Sequence, residues 1–237
     1  MKKWTPSFQS RQWRDGMRVR HVYALPESNT DTELLALVEA CRSSMASYPI
    51  DLQRDDLLHI TIAMDTSVPA DQMSQQDTVV FVAALRKELA GIPAFRVMCG
   101  PPIANKAGAV LDVFPNDELD GLQGLVWKAL LDARGPSAVL YETGRPHASI
   151  GYSYDAADSD PLQSTLRAIT PRHAAWTVSR VHVLDVAYHH NKLPDGRSAW
   201  QMSWERVAEI GLRSRHPENN SAGPVEDSGR SSGASGI

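Results

Sequence analysis

The sequence predicts an α+β fold made of two related lobes. Two observations predict it. Strand-like and helix-like segments follow in the order β-α-β-α-β-β-α-β-α-β-β, which divides into halves of similar grammar. A triplet of histidine, apolar residue and hydroxyl residue also occurs once in each half, as His59-Ile60-Thr61 and His147-Ala148-Ser149. With 237 residues and 42% hydrophobic content, the chain can bury a core as one large domain or two intimate lobes. Three parts are expected: a basic aromatic arm over residues 1–18, a folded domain over 19–212 and a disordered tail over 213–237.

The arm carries Lys2, Lys3, Arg11, Arg14, Arg18 and Arg20 at its border, against Asp15 alone, with Trp4, Phe8 and Trp13 interleaved. Such a mixture stacks on nucleobases or packs its tryptophans on the domain. The first strand spans Val19 to Leu25 and closes at Pro26. Thr30 or Asp31 then caps a helix whose apolar positions Leu34, Leu35, Leu37, Val38 and Cys41 keep helical spacing. Leu57 to Met64 forms the first motif strand, and Val79 to Leu89 a second helix ended near Gly91 and Pro93. Phe95 to Cys99 and Ala109 to Phe114 are strands joined by a Pro/Gly loop. Asp117 to Arg134 is a long helix with an acidic start and Gly135-Pro136 beyond its end. The second motif strand is His147 to Tyr152, and a helix over Leu162 to Ile169 follows Asp160-Pro161. Val178 to Tyr188 and Ala199 to Val207 are strands joined by the turn Pro194-Asp195-Gly196. The remaining Ser-, Gly-, Asn- and Pro-rich tail lacks the apolar content to fold.

A net charge of −4 argues against coating long nucleic acid by charge alone. It leaves open a small nucleotide or an RNA end held in a pocket. Cys41 and Cys99 stand in no zinc-like or redox spacing and read as reduced thiols. No apolar run reaches the ~20 residues of a membrane span, and Lys2-Lys3 precede no apolar leader. The expectation is a cytoplasmic monomer without membrane contact.

The triplets carry chemistry. Side chains alternate faces along a strand, so His59, Thr61 and Ala63 should share one face and Leu58, Ile60, Ile62 and Met64 the other. Likewise His147, Ser149 and Gly151 should oppose Ala148, Ile150 and Tyr152. The small third residues, Ala63 and Gly151, would leave room for a ligand. In-line displacement at phosphorus needs a base on the attacking oxygen and an acid on the leaving oxygen, on opposite sides of the phosphorus. Histidine titrates near neutrality, and two of them supply both roles. Thr61 and Ser149 are placed to hold the charged equatorial oxygens. The scheme calls for no metal and no cofactor. His182, His189 and His190 with Asp185 give no familiar ligand spacing.

On these residues the chain resembles the 2H phosphoesterase superfamily, with its paired H-x-[ST] motifs. It looks most like the bacterial 2′-5′ RNA ligases and RNA 2′,3′-cyclic phosphodiesterases. Supporting segments are Arg20 to Pro26, Leu58 to Ala63, Val113 to Leu119, Arg145 to Ile150 and Val181 to Leu184. The resemblance implies two pseudo-symmetric antiparallel-sheet lobes with helices outside and a central cleft. It implies His59 and His147 as the acid/base pair and Thr61 and Ser149 as phosphate binders. The substrate would be a 2′,3′-cyclic phosphate or 2′-5′-linked RNA end or nucleotide, with ligation or binding without turnover as alternatives. Arg145, just before the second motif, is a candidate cation beside the phosphate. Tyr23 and Tyr188 are candidate walls for a base. Tyr152 should point away from the catalytic face by alternation.

Overall fold

A sheet of nine antiparallel strands organises the chain and carries its helices on one face. The computed structural model describes residues 1–8, 11–12, 14–115, 117–139 and 143–214, with the backbone alone for residues 7, 8, 11 and 12. The strands are β1 (Ser7–Phe8), β2 (Arg11–Gln12), β3 (Arg18–Ala24), β4 (Ile50–Leu52), β5 (Ile60–Asp65) and β6 (Phe95–Asn105). They continue with β7 (Gly108–Phe114), β8 (His147–Ser153), β9 (Ala174–Val178), β10 (Arg180–Lys192) and β11 (Ser198–Gly211). The helices are α1 (Thr32–Met45), α2 (Gln75–Glu88), α3 (Asp117–Arg134) and α4 (Asp160–Arg167). Among the described residues, β1 and β2 pair with each other in a separate two-stranded sheet.

The main sheet runs β11-β10-β3-β5-β8-β7-β6-β9, and β4 pairs with β8. The two expected lobes are the two halves of this sheet: β5 is innermost in one and β8 in the other. All four helices contribute to the large core, from Leu34, Leu37 and Val38 of α1 to Leu162 and Leu166 of α4. The opposite face of the first half holds a smaller cluster of Val19, Tyr23, Met64, Leu184, Val186, Tyr188 and Met202.

Several elements differ from the sequence reading. β4 is three residues long, too short for a period-two pattern to declare itself. The expected single strand over Val178 to Tyr188 breaks at Ser179. β9 closes one edge of the sheet against β6, while β10 lies in the other half between β3 and β11. No Gly or Pro marks that break. The expected Pro/Gly loop is absent, because β6 runs on to Asn105. Its register shifts between Cys99 and Pro102, where the prolines supply no N–H.

Asp31 does sit at the N-cap of α1, but its carboxylate makes no capping bond. It accepts instead from the N–H groups of Glu27 (2.8 Å) and Thr177 (3.0 Å), tying the helix entry to β9. α2 begins four residues earlier than expected, behind a reciprocal Ser74–Asp77 capping box. At the far end, Arg213 still pairs with the chain, through Ala94 N–H to its carbonyl (2.8 Å) and its own N–H to Ile92 (2.7 Å). The predicted tail from residue 215 onward lies outside the described residues, as do the side chains of Phe8, Arg11 and Trp13.

Candidate functional site

The site lies where the two halves meet. Among the described residues, one pair joins β5 to β8: Ile60 opposite Ala148. Both side chains are buried on the helix side, 0% and 2% exposed. One step further in the antiparallel register sets His59 across from Ser149 and Thr61 across from His147, all four on the other face. The motifs therefore sit side by side on adjacent strands, not on walls facing each other across a gap. The histidines occupy one diagonal of this square, where cross-strand neighbours stand ~7–8 Å apart.

Each motif strand departs from regular alternation at the same place. Between β3 and β5, Tyr23 pairs with Thr61 and Val22 with Ala63, leaving Ile62 as an extra residue. Between β7 and β8, Val110 pairs with Ser149 and Ala109 with Gly151, leaving Ile150 extra. Both are β-bulges directly after the hydroxyl residue. Each bulged carbonyl finds a donor outside the ladder. Gln123 Nε2 of α3 donates to Ile62 (3.0 Å), and Gln53 N–H donates to Ile150 (3.0 Å).

The bulges invert the expected faces beyond Thr61 and Ser149. Ala63 enters the helix-side core and Met64 lines the site instead. Tyr152 likewise lines the site, against the expectation that it points away. Gly151 is small for another reason than ligand space: a Cβ there would stand 2.4 Å from Ile50 Cγ2 of β4.

Both imidazoles are held alike. His59 Nδ1 donates to the Leu57 carbonyl (2.8 Å), and His147 Nδ1 donates to the Arg145 carbonyl (2.8 Å). A carbonyl only accepts, so each Nδ1 carries the proton when the ring is neutral. Nε2 is then the nitrogen that exchanges protons with a ligand. Their surroundings differ. His59 is 5% exposed, stacked on Tyr23 (centroids 4.1 Å apart) and met edge-on by Trp204 at 5.8 Å. Burial, with His147 nearby and despite the Leu57 bond, pushes its pKa down to about 4. His147 is exposed.

A cleft of about 520 Å³ opens over the square. Thr61, Ser149, Tyr23, Tyr188 and Arg145 all line it. Tyr23 is only 1% exposed and hydrogen-bonds with Thr61 and Tyr188; burial raises its pKa well above the ordinary tyrosine value. It supports His59 and Thr61 from below, which fits poorly with the base wall expected from sequence. Tyr188 is buried too, with Trp4 tilted against it at 5.7 Å. Arg145 is held by Asp112 (3.1 Å), which pairs with His147 across β7 and β8.

Sequence reasoning passed over Trp204, Gln123 and His21. None carries a motif signal: Trp204 stands in an ordinary strand and Gln123 in a helical stripe. His21 is read only through β3, whose even register places it beside Tyr23 (4.8 Å) in the cleft. The rival histidines diverge. His182 lies 3.5 Å from Glu209, His189 bonds Ser203, and His190 packs on Trp200. Among the described residues no group of three or more His, Cys, Asp or Glu could hold a metal ion. No described helix is long and apolar enough to cross a membrane.

Residues 24–189 match the sequence profile of the 2′-5′ RNA ligase superfamily. No curated protein shows a significant sequence match. The fold is similar to that of TT0787 of Thermus thermophilus, with TM-score 0.57 and 12% identity over 84% of this chain and 100% of that one. It is similar as well to LigT of E. coli complexed with 3′-AMP, with TM-score 0.54 and 11% identity over 84% and 99%. A phosphoesterase crystal structure gives TM-score 0.51 and 11% identity over the same shares.

Proposed function

The chain belongs to the 2′-5′ RNA ligase superfamily, and from that premise we propose that it is a metal-independent phosphodiesterase acting on 2′,3′-cyclic phosphates or 2′-5′-linked RNA ends or nucleotides. The observation that carries this reading is the square of two imidazoles and two hydroxyls at the bridge between β5 and β8. A phosphate seated over the square meets hydroxyl donors from Thr61 and Ser149 and an imidazole Nε2 on each diagonal corner. The LigT complex with 3′-AMP supports a nucleotide phosphate as the occupant in that relative.

The unequal burial of the two imidazoles supports a division of the two proton roles. His59 is neutral near pH 7 because desolvation disfavours its charged form, so it accepts the proton of the attacking water. His147, in solvent, donates to the leaving ribose oxygen. Water attacks phosphorus, the P–O bond to one ribose oxygen breaks, and the proton lost to His59 is matched by the proton given by His147. Ligation through a 2′-5′ bond uses the same residues with a 5′-hydroxyl in place of water: the hydroxyl attacks the cyclic phosphate and gives its proton to His59, and the P–O3′ bond breaks as His147 protonates the leaving oxygen. The protein is read as a soluble cytoplasmic monomer.

The test is a panel of 2′,3′-cyclic nucleotides and 2′-5′ dinucleotides in the presence of EDTA. Turnover of at least one, lost in both His59→Ala and His147→Ala, is expected. No turnover on any of them, or turnover unchanged in either variant, overturns the proposal.

A further inference from the structure

The arm that precedes the matched family region is built into the cleft. Lys2 N–H donates to the Lys106 carbonyl (2.8 Å), Trp4 N–H to the Ser153 carbonyl (2.7 Å), and Ser153 Oγ donates to the Lys2 carbonyl. Trp4 stacks on Tyr152 with ring centroids 4.1 Å apart. These contacts bring Lys2 and Lys3 to the cleft rim next to Lys106, at the turn between β6 and β7.

The charge there is one-sided. Among the described residues the cleft is lined by Lys2, Lys3, Lys106 and Arg145 and by no Asp or Glu, in a chain with 28 acidic residues against 24 Lys and Arg. Arg145 stands beside His147, at the reacting phosphate. The three lysines stand past the other end of β8. From Ser149 to Ser153 the strand rises roughly 10–13 Å, so the backbone that carries these lysines stands about that far along the cleft from the motif square.

We propose that the arm and Lys106 form a second anion subsite, which takes another phosphate group of the same substrate, one nucleotide-length from the reacting one. This rests on the phosphodiesterase reading of the site. Two sources share that chemistry: the 5′-phosphate of a single nucleotide, and the preceding linkage of an RNA end. The subsite would favour either over a bare nucleoside cyclic phosphate, and it would make that preference sensitive to salt.

The arm is docked through backbone bonds and the Trp4 ring, so removing lysine charge leaves it in place. Calorimetric binding of three probes to the full chain tests the idea: 3′-AMP, adenosine 3′,5′-bisphosphate and a diadenosine ending in a 3′-phosphate. The wild type should bind at least one two-phosphate probe about tenfold tighter than 3′-AMP, and the probe that gains names the source. In Lys2→Ala/Lys3→Ala that gap should close while 3′-AMP affinity stays. Trp4→Ala should close it too, and Trp4→Phe should keep it. A wild type without the gap, or a double variant that retains it, overturns the subsite. Binding is read apart from turnover. A chain that shows the gap but hydrolyses no panel member refutes the catalytic reading alone, and one that hydrolyses without the gap refutes the subsite alone.

Discussion

The two motif strands are built to one plan and set in different surroundings. β5 and β8 share one bridge, a bulge after the hydroxyl residue, a bulged carbonyl satisfied from outside the ladder, and an Nδ1 bonded to the carbonyl two residues back. Beyond that plan the halves part. His59 packs against Tyr23 and Trp204, whereas His147 is exposed beside Arg145 and Asp112. The shared plan fixes where four functional groups stand. Burial lowers the proton affinity of His59, and acid/base chemistry needs a tuned proton affinity as much as it needs placement.

The largest effect should follow loss of either imidazole. His59→Ala and His147→Ala should each lower kcat by about 10²–10⁴-fold, read by steady-state assay on a cyclic nucleotide. Next come the hydroxyls: Thr61→Val and Ser149→Ala should cost about 10–10³-fold in kcat, with neither more than about tenfold apart from the other if the plan is shared. An unequal pair would break the symmetry of phosphate binding. Gln123→Leu strips the bulged Ile62 carbonyl of its main donor, at a cost of about 1–3 kcal/mol of stability, and it should lower kcat through a displaced Thr61. Thermal melts and kinetics together check it. Gly151→Ala on the other strand should cost about 1–3 kcal/mol by overpacking Ile50, measurable as a lowered urea midpoint.

Acid should expose the difference in burial as well. Burial pushes His21 down to about 3 and His59 to about 4, while in the unfolded chain both titrate near 6.5. Between those values the unfolded state binds more protons, so the stability they confer is complete above pH 6.5 and is lost as pH falls towards 3. At about 1.4 kcal/mol for each pKa unit, the loss amounts to several kcal/mol. Urea midpoints at about pH 7 and pH 4.5 should show it, and His21→Phe should flatten the slope.

Much of this is legible in the sequence. The α+β class, the four helices and the two motif strands follow from apolar periodicity and turn residues, and His59, Thr61, His147 and Ser149 follow from a repeated triplet. Parity holds as far as the hydroxyl and fails one residue later. A bulge adds a residue without any composition of its own, and Ile62 and Ile150 look like ordinary strand residues. For that reason parity puts Tyr152 and Met64 on the wrong face. The break at Ser179 is hidden in the same way, because it is made by sheet topology and not by a turn residue. The burial of His59 is out of reach, since Trp204 comes from a strand about 145 residues away whose partners only the sheet order reveals.

The central claim is that matching geometry with unequal burial makes His59 the base and His147 the acid. The most direct measurement compares a natural 2′,3′-cyclic nucleotide with a phosphodiester carrying a p-nitrophenolate leaving group, which departs without protonation. His147→Ala should be inactive on the first and recover most of the wild-type rate on the second, while His59→Ala should be inactive on both. Recovery in His59→Ala with none in His147→Ala would contradict the assignment.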